Sequence, residues 1–159
     1  MEESLLYSGN RNEDYELVIA QLQALSDGVN NSIAVLSNAS ALLNDYLHTI
    51  NWVGFYLMEN NELVLGPFQG KVACTKIAIG KGVCGTAVAE LKTQRVKDVH
   101  EFPGHIACDS ASNSEIVIPL MKDNTCIGVL DIDSPITNRF DEIDELYLTK
   151  FAEMLCKYI

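Results

Sequence analysis

No apolar run in this chain approaches the roughly 20 residues that a membrane-spanning helix requires. The opening residues, Met1 to Glu16, are rich in acids and show no basic segment followed by an apolar one, so no secretion signal is expected. A cytoplasmic protein with no membrane partner is the expectation. Basic residues are also scarce, 11 against 22 acidic for a net charge of -11. Phosphate backbones and anionic membranes are repelled by such a surface, which excludes nucleic acid as a natural partner. There is no C-x-x-C pair, and Gly80-Lys81-Gly82 completes neither a P-loop nor a dinucleotide fingerprint. Repeats, low-complexity tracts and Pro/Gly/Ser-rich linkers are missing too, so residues 1–159 are expected to form one domain, a length that can bury a sizeable core.

What is present begins with five cysteines. The number is odd, and in a reducing compartment their work is packing, metal binding or redox chemistry rather than a structural disulfide network. Tyr15, Val18, Ile19, Leu22 and Leu25 recur at helical spacing before Gly28, and Ile33, Leu36, Leu43, Tyr46, Leu47 and Ile50 continue the period. Two N-terminal helices are predicted. From Asn51 the period becomes two, with Val53, Phe55 and Leu57 on one face and Trp52, Tyr56 and Met58 on the other. Asn60-Asn61 suits a tight turn into a returning strand at Leu63-Val64-Leu65. Val72 to Ile77 reads as another short strand, Thr86 to Leu91 as a short helix, and Arg95-Val96 as a brief strand.

Residues 97–115 show no period and mix Pro, Gly, Ser, Asn and Asp, as a functional lid or binding loop does. Ile116 to Leu120 and Cys126 to Asp133 are predicted to pair across a turn at Lys122, Asp123 and Asn124. Phe140, Ile143, Tyr147, Phe151, Met154 and Tyr158 would form the apolar face of a last helix, with Asp141, Glu142 and Asp144 at its positive end. The order implies an α+β fold: an antiparallel sheet flanked by N- and C-terminal helices, with a short inserted helix and a long active-site loop.

Gly80-Lys81-Gly82-Val83-Cys84-Gly85, the run Gly128 to Asp133 and the helix start at Arg139-Phe140-Asp141, in that order, resemble the GAF-domain fold. Three further segments sharpen the resemblance: Asn51 to Tyr56, Gly66-Pro67-Phe68-Gln69-Gly70, and Gly104-His105-Ile106-Ala107-Cys108-Asp109. With the triplet Cys74, Cys84 and Cys108 they resemble the free-methionine-(R)-sulfoxide reductases from about Trp52 to Phe151. The resemblance implies a nucleophile at Cys108 and resolving thiols at Cys74 and Cys84. A thiolate takes the oxygen of a sulfoxide as sulfenic acid, and a second thiol converts that to a disulfide which a thioredoxin-type reductant can open. Without the resemblance, three cysteines are more simply small buried hydrophobes. Cys84 adds its place at a helix start, where the dipole favours thiolate. Cys126 and Cys156 match no pairing motif and read as core residues.

Asp131 and Asp133 lie two apart on a strand and so share a face. On an arbitrary strand this marks a solvated edge. The resemblance instead makes them, with Glu115, the substrate-binding carboxylates: Glu115 donating to the sulfoxide oxygen, Asp131 and Asp133 pairing with the ammonium. Trp52 and Tyr56 share a strand face and would wall the pocket, or simply pack the core. His100 and His105 are taken as solvated loop residues outside the catalytic set.

Two rival functions stand beside the reductase. One is a ligand-sensing GAF module without chemistry. The other is a zinc site of Cys74, Cys84, Cys108 and His105, whose spacing lacks the close pair of structural zinc sites. The reductase implied by the resemblance needs no cofactor or metal of its own, uses a thioredoxin-type partner, and is compatible with a homodimer.

Overall fold

A computed structural model describes residues 7–105 and 110–159. Two helices open the chain, α1 (Arg11–Ser26) and α2 (Ser32–Tyr46), each started by an Asn whose side chain accepts a backbone N–H of the first turn. There follow β1 (Trp52–Glu59), β2 (Glu62–Gly70), β3 (Lys76–Ala78), α3 (Gly82–Glu90), β4 (Gln94–Val96), one 3-10 turn at Val99–Glu101, β5 (Ser114–Lys122), β6 (Thr125–Ser134) and α4 (Glu142–Leu155). The six strands form one antiparallel sheet in the order β3-β2-β1-β6-β5-β4, so the expected α+β class holds.

The sheet separates two apolar layers. Val53 and Phe55 of β1, Ile116, Ile118 and Leu120 of β5, and Leu130 and Ile132 of β6 face α1, α2 and α4 and form the larger core. Trp52, Tyr56, Val117 and Val129 face the other way and pack with Val83, Ala87 and Val88 of α3. The period-two reading of β1 and β6 is therefore borne out on both faces. Asn60 and Asn61 take positive φ in the β1-β2 turn, and Asp123 and Asn124 do so between β5 and β6.

Three local readings are corrected. The strand expected from Val72 to Ile77 begins only at Lys76. Gly70 turns the chain at φ +140°, Val72 projects into solvent, and the carbonyls of Lys71 and Cys74 accept side-chain donors from β1 instead of a neighbouring strand. α3 starts at Gly82 rather than Thr86, which places Cys84 inside its first turn. On α4 the buried face includes Leu148 and Leu155, whereas Ile143 is exposed and Tyr158 lies past the helix end. Asp141 and Asp144 form a capping box there, a role beyond the dipole match expected of acids at this end.

Asp144 also ties the ends of the fold together. It is buried and accepts from the Tyr15 hydroxyl at 2.6 Å, Arg11 at 2.8 Å and Arg139 at 3.3 Å. Removing it strands a buried hydroxyl and leaves Arg139 without its carboxylate. Asp144→Ala is expected to lower unfolding free energy on the order of 3 kcal/mol in a denaturant titration; a loss within experimental error would show that the cluster does not hold α1 to α4.

Candidate active site

The site lies on the α3 face of the sheet, where register sets side chains in rows. Trp52 of β1 pairs with Asp133 of β6, which pairs with Glu115 of β5. The next row on that face is Gly54, Asp131 and Val117. β6 is interior to the sheet, so the solvated-edge reading of Asp131 and Asp133 is overturned: Asp131 is buried beneath α3. Together Trp52, Tyr56, Cys84, Glu115, Asp131 and Asp133 line a cavity of about 40 Å³, and six of the residues expected to act in substrate handling or thiol chemistry are thereby gathered.

The aromatic wall is built by close approach. A Cβ on Gly54 would fall 2.3 Å from that of Phe68, so glycine lets Phe68 move in over the strand. Phe68 stacks on Trp52 with ring centroids 5.1 Å apart, and Trp52 stacks on Tyr56 at 5.9 Å. Gly70 is needed for the same reason, since a Cβ there would meet Trp52 Cδ1 at 2.6 Å. Both aromatic polar ends are satisfied by the β2-β3 loop: Trp52 Nε1 donates to the Lys71 carbonyl at 3.1 Å and the Tyr56 hydroxyl to the Cys74 carbonyl at 2.9 Å.

Below this wall three acids share little solvent. Burial, then the charges of Asp131 and Asp133, push the Glu115 carboxyl well above the usual carboxylate range. Asp131 is also raised by burial, although hydrogen bonds from Glu115 and Cys84 hold it down in part. These directions favour a neutral Glu115 that donates to Asp131. Asp131 Oδ1 is buried without a hydrogen-bond partner among the described residues, an acceptor suited to a cationic donor from a ligand.

Cys84 requires a correction. It stands in the first turn of α3, but burial and then Asp131, Glu115 and Asp133 drive its thiol well above the ordinary value. Desolvation and three acids oppose the helix end here, and both favour a neutral S–H beside Asp131 over a thiolate. Cys74 is disulfide-bonded, whereas Cys84, Cys126 and Cys156 are free. Cys156 packs in the helical core and Cys126 is half-buried at the start of β6. Cys108 lies outside the described residues.

The zinc set weighed from sequence includes Cys108, which lies outside the described residues. Among the described residues, the grouped ligand atoms are those of Cys84, Glu115 and Asp131, all within 4.8 Å of one another. His105, set aside as a solvated loop residue, lines the cavity, and burial followed by the charge of His100 lowers its pKa. His100 lies outside the lining and bonds Asn113 at 3.1 Å. Lys81 and Ser112 also line the cavity and were not anticipated. Lys81 directly precedes α3, a signal the glycine pattern carried; Ser112 meets Asn51 at 3.1 Å, a contact no local spacing reveals. The long loop is closed at its base by Val99 N–H to the Asn113 carbonyl at 2.9 Å and Asn113 N–H to that of Ser134 at 2.8 Å.

The GAF domain family model matches residues 22–159. The chain is 53% identical to the free methionine-R-sulfoxide reductase of Escherichia coli, over 94% of this chain and 91% of that protein. It is 46% identical to the Saccharomyces cerevisiae protein of the same name, over 95% and 89%. Its fold superposes on the free methionine-R-sulfoxide reductase of Neisseria meningitidis, solved with its substrate, with a TM-score of 0.94 at 44% identity, covering 99% and 95% of the two chains.

Proposed function

Because the chain belongs to the free methionine-R-sulfoxide reductases, a GAF-domain family, we propose that it reduces free methionine-(R)-sulfoxide to methionine in the cavity between β1, β6, β5 and α3. The observation that carries this reading is the grouping of buried Glu115 and Asp131 with half-buried Asp133 beneath the Trp52-Tyr56 wall. A free amino acid offers an ammonium group to the two aspartates and a sulfinyl group to the aromatic rings. Glu115, kept protonated by its neighbours, donates to the sulfoxide oxygen.

In the proposed cycle the Cys108 thiolate attacks the sulfoxide sulfur. The sulfoxide oxygen takes a proton supplied through Glu115 and passes from the substrate sulfur to the Cys108 sulfur as the transient sulfur–sulfur bond breaks, so that methionine leaves and Cys108 is left as a sulfenic acid. The Cys74 thiolate then attacks the Cys108 sulfur, water leaves, and a disulfide results. The disulfide-bonded state of Cys74 supports this assignment, and the raised thiol of Cys84 supports a positioning role for that residue, holding Asp131. A thioredoxin-type dithiol returns two electrons and two protons, a cycle that suits a single domain in the reducing cytoplasm. Among the described residues no helix is long and apolar enough to cross a membrane.

The experiment is peptide mapping of the fully reduced protein after one equivalent of free methionine-(R)-sulfoxide. A new Cys74–Cys108 disulfide and one methionine per chain are expected. Methionine formed with all thiols still reduced would contradict the cycle.

Glu115 also links stability to pH. Its pKa is raised in the folded protein, so the folded state holds the proton more tightly, and stability present below the unfolded value is lost as pH rises toward the folded one. Glu115→Gln keeps a hydrogen-bond donor and removes the titration. The variant is expected to have the higher Tm at pH 8, with a smaller fall in Tm between pH 5 and 8, while kcat drops by roughly a hundredfold. Parallel Tm profiles for the two proteins would show that Glu115 is not a buried neutral acid.

A further inference from the structure

We propose that the β2-β3 loop, residues 71–75, together with Lys76 is the docking surface for the protein reductant, and that this partner carries acidic side chains around its reactive cysteine. The inference rests on the reading of Cys74 as the resolving thiol. Val72 is 88% exposed, and Lys71, Thr75 and Lys76 are exposed around the partly buried Cys74. A single exposed valine is ordinary. This one stands two residues from a disulfide sulfur on a loop that is held in place: Trp52 Nε1 bonds the Lys71 carbonyl, the Tyr56 hydroxyl bonds that of Cys74, and Leu65 N–H bonds that of Thr75 at 2.9 Å. A fixed loop presents its side chains to a partner with little further loss of entropy.

Charge selects the partner. The chain carries a net charge of -11, yet from Lys71 to Lys81 there are three lysines and no acid. Lys81 lines the cavity and Lys76 is ion-paired with Glu62 at 3.4 Å, so Lys71 is the outward cation beside Cys74, with Lys76 partly compensated next to it. An acidic dithiol protein is repelled by most of this surface and attracted here, which orients its approach. Its thiolate attacks the Cys74 sulfur, forming a mixed disulfide and releasing the Cys108 thiolate, which takes a proton. The partner's second thiolate then attacks its own sulfur in the mixed disulfide, Cys74 leaves as a thiol, and the partner departs oxidised by two electrons.

The test compares turnover supported by an acidic thioredoxin with turnover supported by a small dithiol, in the full chain. Lys71→Glu/Lys76→Glu and Val72→Asp are each expected to raise the KM for thioredoxin about tenfold at low ionic strength. Turnover with the small dithiol should be unchanged, and added salt should narrow the effect of the double lysine variant. Lys150→Glu/Lys157→Glu on α4 makes the same change in net charge and is expected to leave the KM alone. Equal effects from the two double variants, or an unchanged KM in the first, would overturn the surface. Thioredoxin lacking its second cysteine should be trapped on Cys74; trapping on Cys108 would overturn the attack site. Cys74→Ser separates the two levels. Full thioredoxin-supported turnover in that variant removes Cys74 from the cycle and the docking surface with it, whereas loss there with no effect of the lysine reversal removes the surface alone.

Discussion

Cys108→Ser is expected to abolish reduction of free methionine-(R)-sulfoxide, by roughly a thousandfold or more, with a small dithiol as fully as with thioredoxin. A hydroxyl is not a nucleophile toward sulfoxide sulfur at neutral pH, and Cys84, Cys126 and Cys156 are held back from substituting. Cys84 is buried against Asp131 and kept neutral. Cys126 is raised by burial, and Cys156 is pushed up to about 11 by burial in the helical core. Loss of Cys74 differs in kind, because a small dithiol can attack the sulfenic acid directly and bypass the resolving step. Methionine release measured chromatographically checks both variants. Turnover near wild type in Cys108→Ser would assign the attack to another residue.

The second large effect concerns the amino group of the substrate. N-acetyl-methionine-(R)-sulfoxide has no ammonium, so the buried Asp131 loses its proposed partner and the cavity between β1 and α3 must take in an amide. A charge-assisted hydrogen bond is worth roughly 1.5–3 kcal/mol, about ten- to a hundredfold in affinity, before desolvation and the added bulk are counted. kcat/KM for the N-acetylated compound is expected to fall at least a hundredfold, and oxidised proteins should not be reduced. Asp131→Asn should weaken the free substrate by a similar factor while barely changing the poor activity on the acetylated one. Comparable kcat/KM for free and acetylated sulfoxides would show that the aspartates do not read the ammonium.

Much of this site was legible because strand periodicity is a rigid ruler. Once Trp52 to Met58 and Gly128 to Asp133 were read with period two, Trp52, Tyr56, Asp131 and Asp133 had to leave the sheet on the face opposite Phe55 and Leu130, as they do. Strand order was not legible. Nothing in the residues near Asp131 says that β6 lies between β1 and β5, and burial beneath α3 decides the protonation of Glu115 and Cys84. The helix-end expectation for Cys84 failed for that reason: a local dipole was weighed without the three acids that topology places against it. The misread strand at Val72 has the same origin, since the donors that hold Lys71 and Cys74 in a loop come from β1, almost twenty residues earlier in the chain. His105 and Ser112 belong to a stretch without periodicity, where sequence spacing carries no direction.

The most direct test of the central claim is an assay of purified protein with thioredoxin and the separated R and S epimers of free methionine sulfoxide. Methionine should form from the R epimer, and only after reduction of the Cys74 disulfide, with no measurable product from the S epimer. Equal rates for the two epimers, or no methionine from either, would contradict the assignment of this cavity as a reductase site for free methionine-(R)-sulfoxide.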